Sequence, residues 1–234
     1  MLIVPNLSAV HERIARAAQR AGRQPEEIAL MAVTKTFPPV TIREAYQAGQ
    51  RLFGENRVQE FAEKVGSLPD LRDAEFHMIG HLQSNKAGKA AEIFHAVDSV
   101  DSAKLAERLN VAAEKLGKTL DVLIEINVGG EAAKSGIAPD SSELENILIG
   151  AVHWKNLRFC GLMTVPPFTE DPEGARPYFR QLRELRDRLA ARNVPFVAFD
   201  VLSMGMSHDF EVAIEEGSTC VRLGTAIFGI RAKR

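Results

Sequence analysis

The sequence predicts an α/β fold: a single (β/α)8 TIM barrel domain over 1–234, with one extra N-terminal helix within 1–24 packing on the barrel. Three observations carry this expectation. Strand and helix signals alternate from residue 29 to the C-terminus and yield eight strand candidates, enough to close a barrel. Several strand runs are apolar on both faces, as in Leu120–Val128 and Phe196–Leu202, which marks a parallel sheet covered by helices. No Gly/Ser-rich or Pro-rich linker divides the chain, so a second domain is not expected. An open doubly wound sheet is the rival topology, because right-handed crossovers suit both.

The elements follow in order. Asn6 reads as the N-cap of the first helix, Val10, Ile14, Ala17, Ala18 and Ala21 share its apolar face, and Gly22 ends it. The small and apolar run 29–34 is the first strand, closed by Lys35, and Thr36-Phe37-Pro38-Pro39 breaks the chain. A helix is expected over 39–48, a strand over 51–54, a helix over 57–66 and a strand over 75–79. Helix 84–92 and strand 94–98 come next, then helix 102–116, where Leu105, Leu109, Ala112 and Leu116 share a face and Gly117 provides the stop. Asp98 and Asp101 read as helix-start carboxylates. Strand 120–127, helix 140–150 and strand 157–162 lead to helix 174–192, striped by Tyr178, Leu182, Leu185 and Leu189. Strand 197–202, helix 208–216 and strand 219–223 complete the alternation.

Composition narrows the function classes. Hydrophobic residues make up 45% and charged residues 26%, as in ordinary globular proteins. A net charge of −2 supplies no global field for nucleic acid or an anionic membrane, and the basic Arg231-Ala232-Lys233-Arg234 is too short to change that. Cys160 and Cys220 each fall in a strand candidate without zinc or redox spacing, so two buried free thiols are expected. Met1-Leu2-Ile3-Val4-Pro5 lacks the regions of a signal peptide, and no stretch approaches the ~18 apolar residues of a transmembrane helix. A soluble, cytoplasmic protein is the expectation.

Lys35 carries the first chemical signal. It places an amine at the carboxyl end of a buried strand, where ligands sit in barrels and open α/β sheets. Partial desolvation there lowers an amine's pKa and makes it a nucleophile toward an aldehyde. Two glycine-containing turns carry the second signal. Leu202-Ser203-Met204-Gly205-Met206-Ser207-His208-Asp209 follows the seventh strand, and Arg222-Leu223-Gly224-Thr225-Ala226-Ile227-Phe228-Gly229 follows the eighth. Taken singly, Ser207 or Asp209 reads as a helix cap, and Gly205 and Gly224 read as turn glycines. Together they stand where barrels bind phosphate, beside a first-strand amine. A phosphorylated aldehyde is the natural ligand, and pyridoxal 5'-phosphate is the obvious candidate.

Other features point less sharply. His77 and His81 are four apart but straddle a strand end, with no glutamate after the first, which argues against zinc. Lys86 and Lys89 read as a solvated helix face. Lys134, in Glu131-Ala132-Ala133-Lys134-Ser135-Gly136, reads as an exposed loop lysine within reach of a cofactor.

The motifs in order also carry a family resemblance. Ala32-Val33-Thr34-Lys35, Phe53-Gly54-Glu55-Asn56 with Val58-Gln59-Glu60, and His77-Met78-Ile79-Gly80-His81-Leu82-Gln83-Ser84-Asn85-Lys86 come first. Gly161-Leu162-Met163, Ser203-Met204-Gly205-Met206-Ser207 with Asp209, Arg222-Leu223-Gly224-Thr225 and Phe228-Gly229 follow. Over nearly its whole length the chain closely resembles the pyridoxal phosphate homeostasis protein family, which has the fold of the alanine racemase N-terminal domain, fold type III among proteins of this cofactor. The resemblance implies that Lys35 forms a Schiff base with the cofactor and that Asn56 lies beside the ring. It also implies that Ser207, Gly224 and Thr225 hold the phosphate with help from Ser203 and Gly205, and that Arg222 faces the pyridine nitrogen. A guanidinium there keeps the ring unprotonated and restrains carbanion chemistry.

Two departures from the pattern matter. Arg57 stands where the family has an aromatic residue. The further β-domain of racemases is absent, and Tyr46 and Tyr178 both fall on helices, away from strand ends. The function implied is intracellular vitamin B6 homeostasis by a monomer that buffers or delivers pyridoxal phosphate, with transient contact with apo-enzymes and no substantial turnover. The alternatives are an amino-acid racemase-type enzyme using the same site and a barrel enzyme holding another phosphorylated metabolite on its lysine.

Overall fold

Short buried runs form the strands β1 (Ala29–Val33), β2 (Leu52–Glu55), β3 (Glu75–Met78), β4 (Ala96–Val100), β5 (Leu120–Glu125), β6 (Leu157–Met163), β7 (Val197–Ser203) and β8 (Cys220–Leu223). In the computed structural model, which describes residues 2–131 and 134–229, they pair in parallel and in sequence order and close into a barrel. The closing pair sets Met31 beside Arg222 and Ala32 beside Leu223. The doubly wound alternative is thereby excluded. Ala132, Ala133 and the basic stretch 231–234 lie outside the described residues.

Helices α2 (Pro39–Gln47), α3 (Val58–Val65), α4 (Ala87–Ile93), α5 (Ala103–Lys115), α6 (Ser142–Gly150), α7 (Arg176–Ala190) and α8 (Phe210–Glu215) follow the strands, and α9 (Thr225–Phe228) ends the described chain. Their buried faces meet the outer faces of the strands in a continuous apolar layer. Within it, Phe61 of α3 stacks between Phe76 and Phe94, with centroids 4.7 and 4.8 Å away. At Gly161 an added Cβ would lie 1.9 Å from the Val201 carbonyl oxygen, so β6 and β7 approach as only glycine allows.

Several ends differ from expectation. The first helix, α1 (Ile3–Arg20), starts three residues before Asn6. Pro5 is tolerated because its missing N–H falls among the unpaired donors of the first turn. Asn6 instead donates its side-chain amide to the Ile227 carbonyl at 2.8 Å and ties α1 to α9. The strand expected over 94–98 is shifted to Ala96–Val100, which puts Asp98 inside a strand rather than at a helix start. Asp101 accepts from His81, while Ser102 caps α5 by accepting the Leu105 amide at 3.3 Å. The buried stripe of α7 runs through Phe179 rather than Tyr178. Cys220 is buried, but Cys160 is only half-buried, and both thiols are free. Among the described residues no helix is long and apolar enough to cross a membrane.

Candidate functional site

A cavity of about 580 Å³ opens at the carboxyl ends of the strands, lined by Lys35, Asn56, Ser207, Arg222, Gly224 and Thr225 among others. Six of the eight residues expected at the site therefore share one pocket. β1 ends at Val33, and Lys35 sits in the turn beyond it rather than on the strand itself. The Thr34 amide still bonds to the Gly54 carbonyl at 2.9 Å, so the turn leaves from a fixed point.

Arg222 is buried beneath this cavity. Its Nη1 donates to Ser203 Oγ and its Nη2 to the Thr164 carbonyl, each at 2.7 Å. Burial pulls the guanidinium down from its ordinary value, although arginine stays charged in proteins. Ser203 and Gly205 lie outside the lining. Ser203 orients Arg222, and the Gly205 carbonyl accepts the Arg222 amide at 3.0 Å. Gly205 has φ +95°, and a Cβ there would meet Ala213 Cβ at 2.6 Å, so both its backbone and its packing require glycine.

The wall next to β1, at the end of β8, is built from donors. Ser207 Oγ accepts the Gly224 amide at 3.3 Å and the Ala226 amide at 3.2 Å. The Ser207 and Thr225 hydroxyls and the two amides that here donate to Ser207 thus crowd one edge, groups that suit phosphate oxygens once an anion takes over those amides. Asn56 Oδ1 is buried without a hydrogen-bond partner in the protein and offers an acceptor to a ligand. Asp209 does not cap α8 through its side chain but accepts the Met206 amide at 2.6 Å and shapes the turn.

A second hollow of about 600 Å³ shares Asn56, Ile79 and Val165 with the first and adds His81, Glu125, Lys134 and Ser135. Glu125 Oε1 accepts from Ser135 Oγ at 2.8 Å, whereas Oε2 is buried and unpaired. Burial pushes this carboxyl's pKa up from its ordinary value. Lys134 is anchored at the rim by the Pro166 carbonyl at 3.1 Å and by Glu131 at 3.0 Å. Arg57 is exposed at the start of α3 and does not line the cavity.

His77 and His81 part company. His77 Nδ1 meets Asp98 and His81 Nδ1 meets Asp101, each at 3.0 Å. His77 lines a separate cavity of about 430 Å³ with the N-terminal strand residues Ala29, Leu52 and Ala96. Among the described residues no three His, Cys, Asp or Glu side chains group as metal ligands. Val33, Ile79, Val165, Met206 and His208 also line the main cavity and carried no signal of their own. Glu125 did carry one, since a carboxylate inside a mostly apolar strand run stands out.

Comparison with known proteins gives this geometry a context. The family model described as alanine racemase, N-terminal domain, matches residues 6–232. A protein of Aquifex aeolicus (strain VF5) named pyridoxal phosphate homeostasis protein is 49% identical over 225 residues, 96% of each chain. The structure of PipY from Synechococcus elongatus PCC7942 with PLP bound superposes with a TM-score of 0.81 at 38% identity, over 93% of this chain and 100% of that one. An alanine racemase of Clostridium difficile 630 shares the fold, with a TM-score of 0.71 at 16% identity, over 98% of this chain and 58% of its own.

Proposed function

Because this chain belongs to the pyridoxal phosphate homeostasis proteins, within the alanine racemase N-terminal domain family, we propose that it binds pyridoxal 5'-phosphate in the Lys35 cavity and buffers or delivers that cofactor in the cytoplasm. The observation that carries this reading is convergence: an amine, a buried guanidinium and an edge of amide and hydroxyl donors meet in one cavity. When bound, the cofactor supplies an aldehyde that takes up amines reversibly, and a ring that withdraws electrons.

The chain's own residues do the rest. Lys35 Nζ would take the cofactor's aldehyde as a Schiff base, Ser207 with the amides of Gly224 and Ala226 would hold the phosphate, and Asn56 Oδ1 would orient the ring substituents. Arg222, fixed by Ser203 and Thr164, has no proton-accepting atom. Facing the ring nitrogen, it would donate to it and leave it unprotonated, which would weaken the ring as an electron sink. Among the described residues no tyrosine lines the cavity to act as a second acid/base: Tyr46 donates to Asp73, and Tyr178 packs from α7 against the apolar core. Release to apo-enzymes proceeds through transient contact, and the chain acts as a monomer without substantial turnover.

An absorbance titration with pyridoxal 5'-phosphate, followed by each L-amino acid in deuterated water, tests this. A saturable visible band without α-proton exchange is expected. Exchange with stereoinversion at about 1 s⁻¹ or faster would instead make the protein a racemase-type enzyme.

A further inference from the structure

The turn that carries Lys35 is gripped by a charge cluster of buried Glu55 and Lys64 with half-buried Glu60. The Phe37 amide bonds to the Thr34 carbonyl at 3.0 Å, which closes a β-turn with Lys35 and Thr36 at its centre. Thr36 has φ +67°. A turn with positive φ at its third residue ordinarily places glycine there, and a β-branched residue in that region is an outlier. Such a conformation persists only where the surroundings enforce it, and it is typical of functional sites.

The surroundings here are specific. Glu60 Oε1 accepts the Thr36 amide at 2.5 Å. The same oxygen lies 2.6 Å from Lys64 Nζ. Lys64 is itself buried and reaches both oxygens of Glu55 at 3.2 Å and the Thr34 carbonyl at 3.3 Å. Glu55 is fully buried, and its Oε1 accepts from Thr34 Oγ1 at 2.8 Å. Bonds from one cluster thus grip residue 34 on one side of Lys35 and residue 36 on the other. Gly54 and Asn56, the neighbours of Glu55, belong to the barrel wall and the cavity, so the cluster joins the first two strand ends into one rigid piece.

We propose that Lys64 and Glu60 are positioning residues that hold the strained turn at Thr36 and so fix the direction from which the Lys35 amine meets an aldehyde in the cavity. Neither residue lines the cavity. Imine formation depends on approach geometry, to which displacements of about 1 Å matter strongly, whereas the donor edge on the neighbouring β8–α9 turn is held by Ser207 and not by Glu60 or Lys64. Loss of the clamp therefore weakens the covalent part of binding and spares the rest.

The inference rests on the proposed function, and two ligands separate the two. Borohydride reduction of the wild-type complex followed by peptide mapping first establishes the adduct on Lys35, and its absence there would count against the function rather than the clamp. Affinities are then measured for pyridoxal 5'-phosphate and for 4'-deoxypyridoxine 5'-phosphate, which has the ring and phosphate but no aldehyde. Lys64→Met and Glu60→Ala are expected to lose about tenfold or more in affinity for the aldehyde while holding the deoxy analogue within about twofold. Glu60→Gln, which keeps an oxygen for the Thr36 amide, should restore aldehyde affinity to within about threefold of wild type. Should Lys64→Met not fold, the two Glu60 variants decide alone. Parallel loss of both ligands, or unchanged aldehyde affinity in Glu60→Ala, would overturn the proposal.

Discussion

Lys35 and Glu125 occupy equivalent stations, each at or just past the carboxyl end of a buried strand, and their neighbours give them opposite tasks. Lys35 opens into the cavity from a clamped turn, whereas Glu125 keeps one oxygen on Ser135 and the other unpaired. Because burial raises its pKa above the ordinary 4.5, the folded state retains a proton that the unfolded chain has lost, and stability falls as pH rises through that window. Glu125→Gln, which keeps the Ser135 bond, should raise the urea midpoint at pH 7 and leave it unchanged at pH 4. An equal gain at both values would rule out the buried proton. Arg222→Ala should cost about 3 kcal/mol in urea unfolding, since it strips charged hydrogen bonds from buried Ser203 and Thr164. Lys35 and Ser207 were legible because each sits at a strand end or a glycine turn, whereas Arg222 came only with the family resemblance. The Glu55–Lys64–Glu60 cluster was not, because a buried carboxylate looks like any surface glutamate until its cation, nine residues away from Glu55 across a strand and a helix, is placed beside it.

At the scale of elements, the barrel was legible because a parallel strand buried on both faces stands out as an apolar run, and helices of three turns show their stripe. Ends were less so. The start of α1 was hidden by Pro5, and the shift of β4 arose because Asp98 and Ser99 look unlike a strand yet are buried, Asp98 by pairing with His77. Helix α9 is only four residues long, too short for periodicity to register. Packing of α1 is nevertheless what steadies α9 and its neighbours Gly224 and Thr225, through Asn6 and through the Arg13–Glu211 and Arg20–Glu215 pairs to α8. Ile14 is buried in this interface. Ile14→Ala should therefore destabilise the protein by about 3 kcal/mol in urea unfolding, and a cost below about 0.5 kcal/mol would mean that α1 is not part of the cooperative unit.

Across the whole molecule the barrel has two mouths of different character. The carboxyl-end mouth gathers the amine, the guanidinium and the donor edge. The other mouth contains the His77–Asp98 pair, where burial disfavours the imidazolium but the Asp98 carboxylate and its hydrogen bond outweigh it and raise the His77 pKa. A raised histidine value stabilises the fold below the unfolded value of about 6.5 and loses that contribution as pH rises through the folded value. The urea midpoint of the protein should fall above about pH 6.5, and His77→Gln should flatten that fall; an unaltered slope would remove the pair from the account. At the first mouth, the claim on which everything else rests is covalent. Reduction of the pyridoxal 5'-phosphate complex with borohydride, proteolysis and mass mapping tests it most directly. A pyridoxyl adduct is expected on the peptide containing Lys35, and an adduct found only on other lysines would contradict covalent capture there.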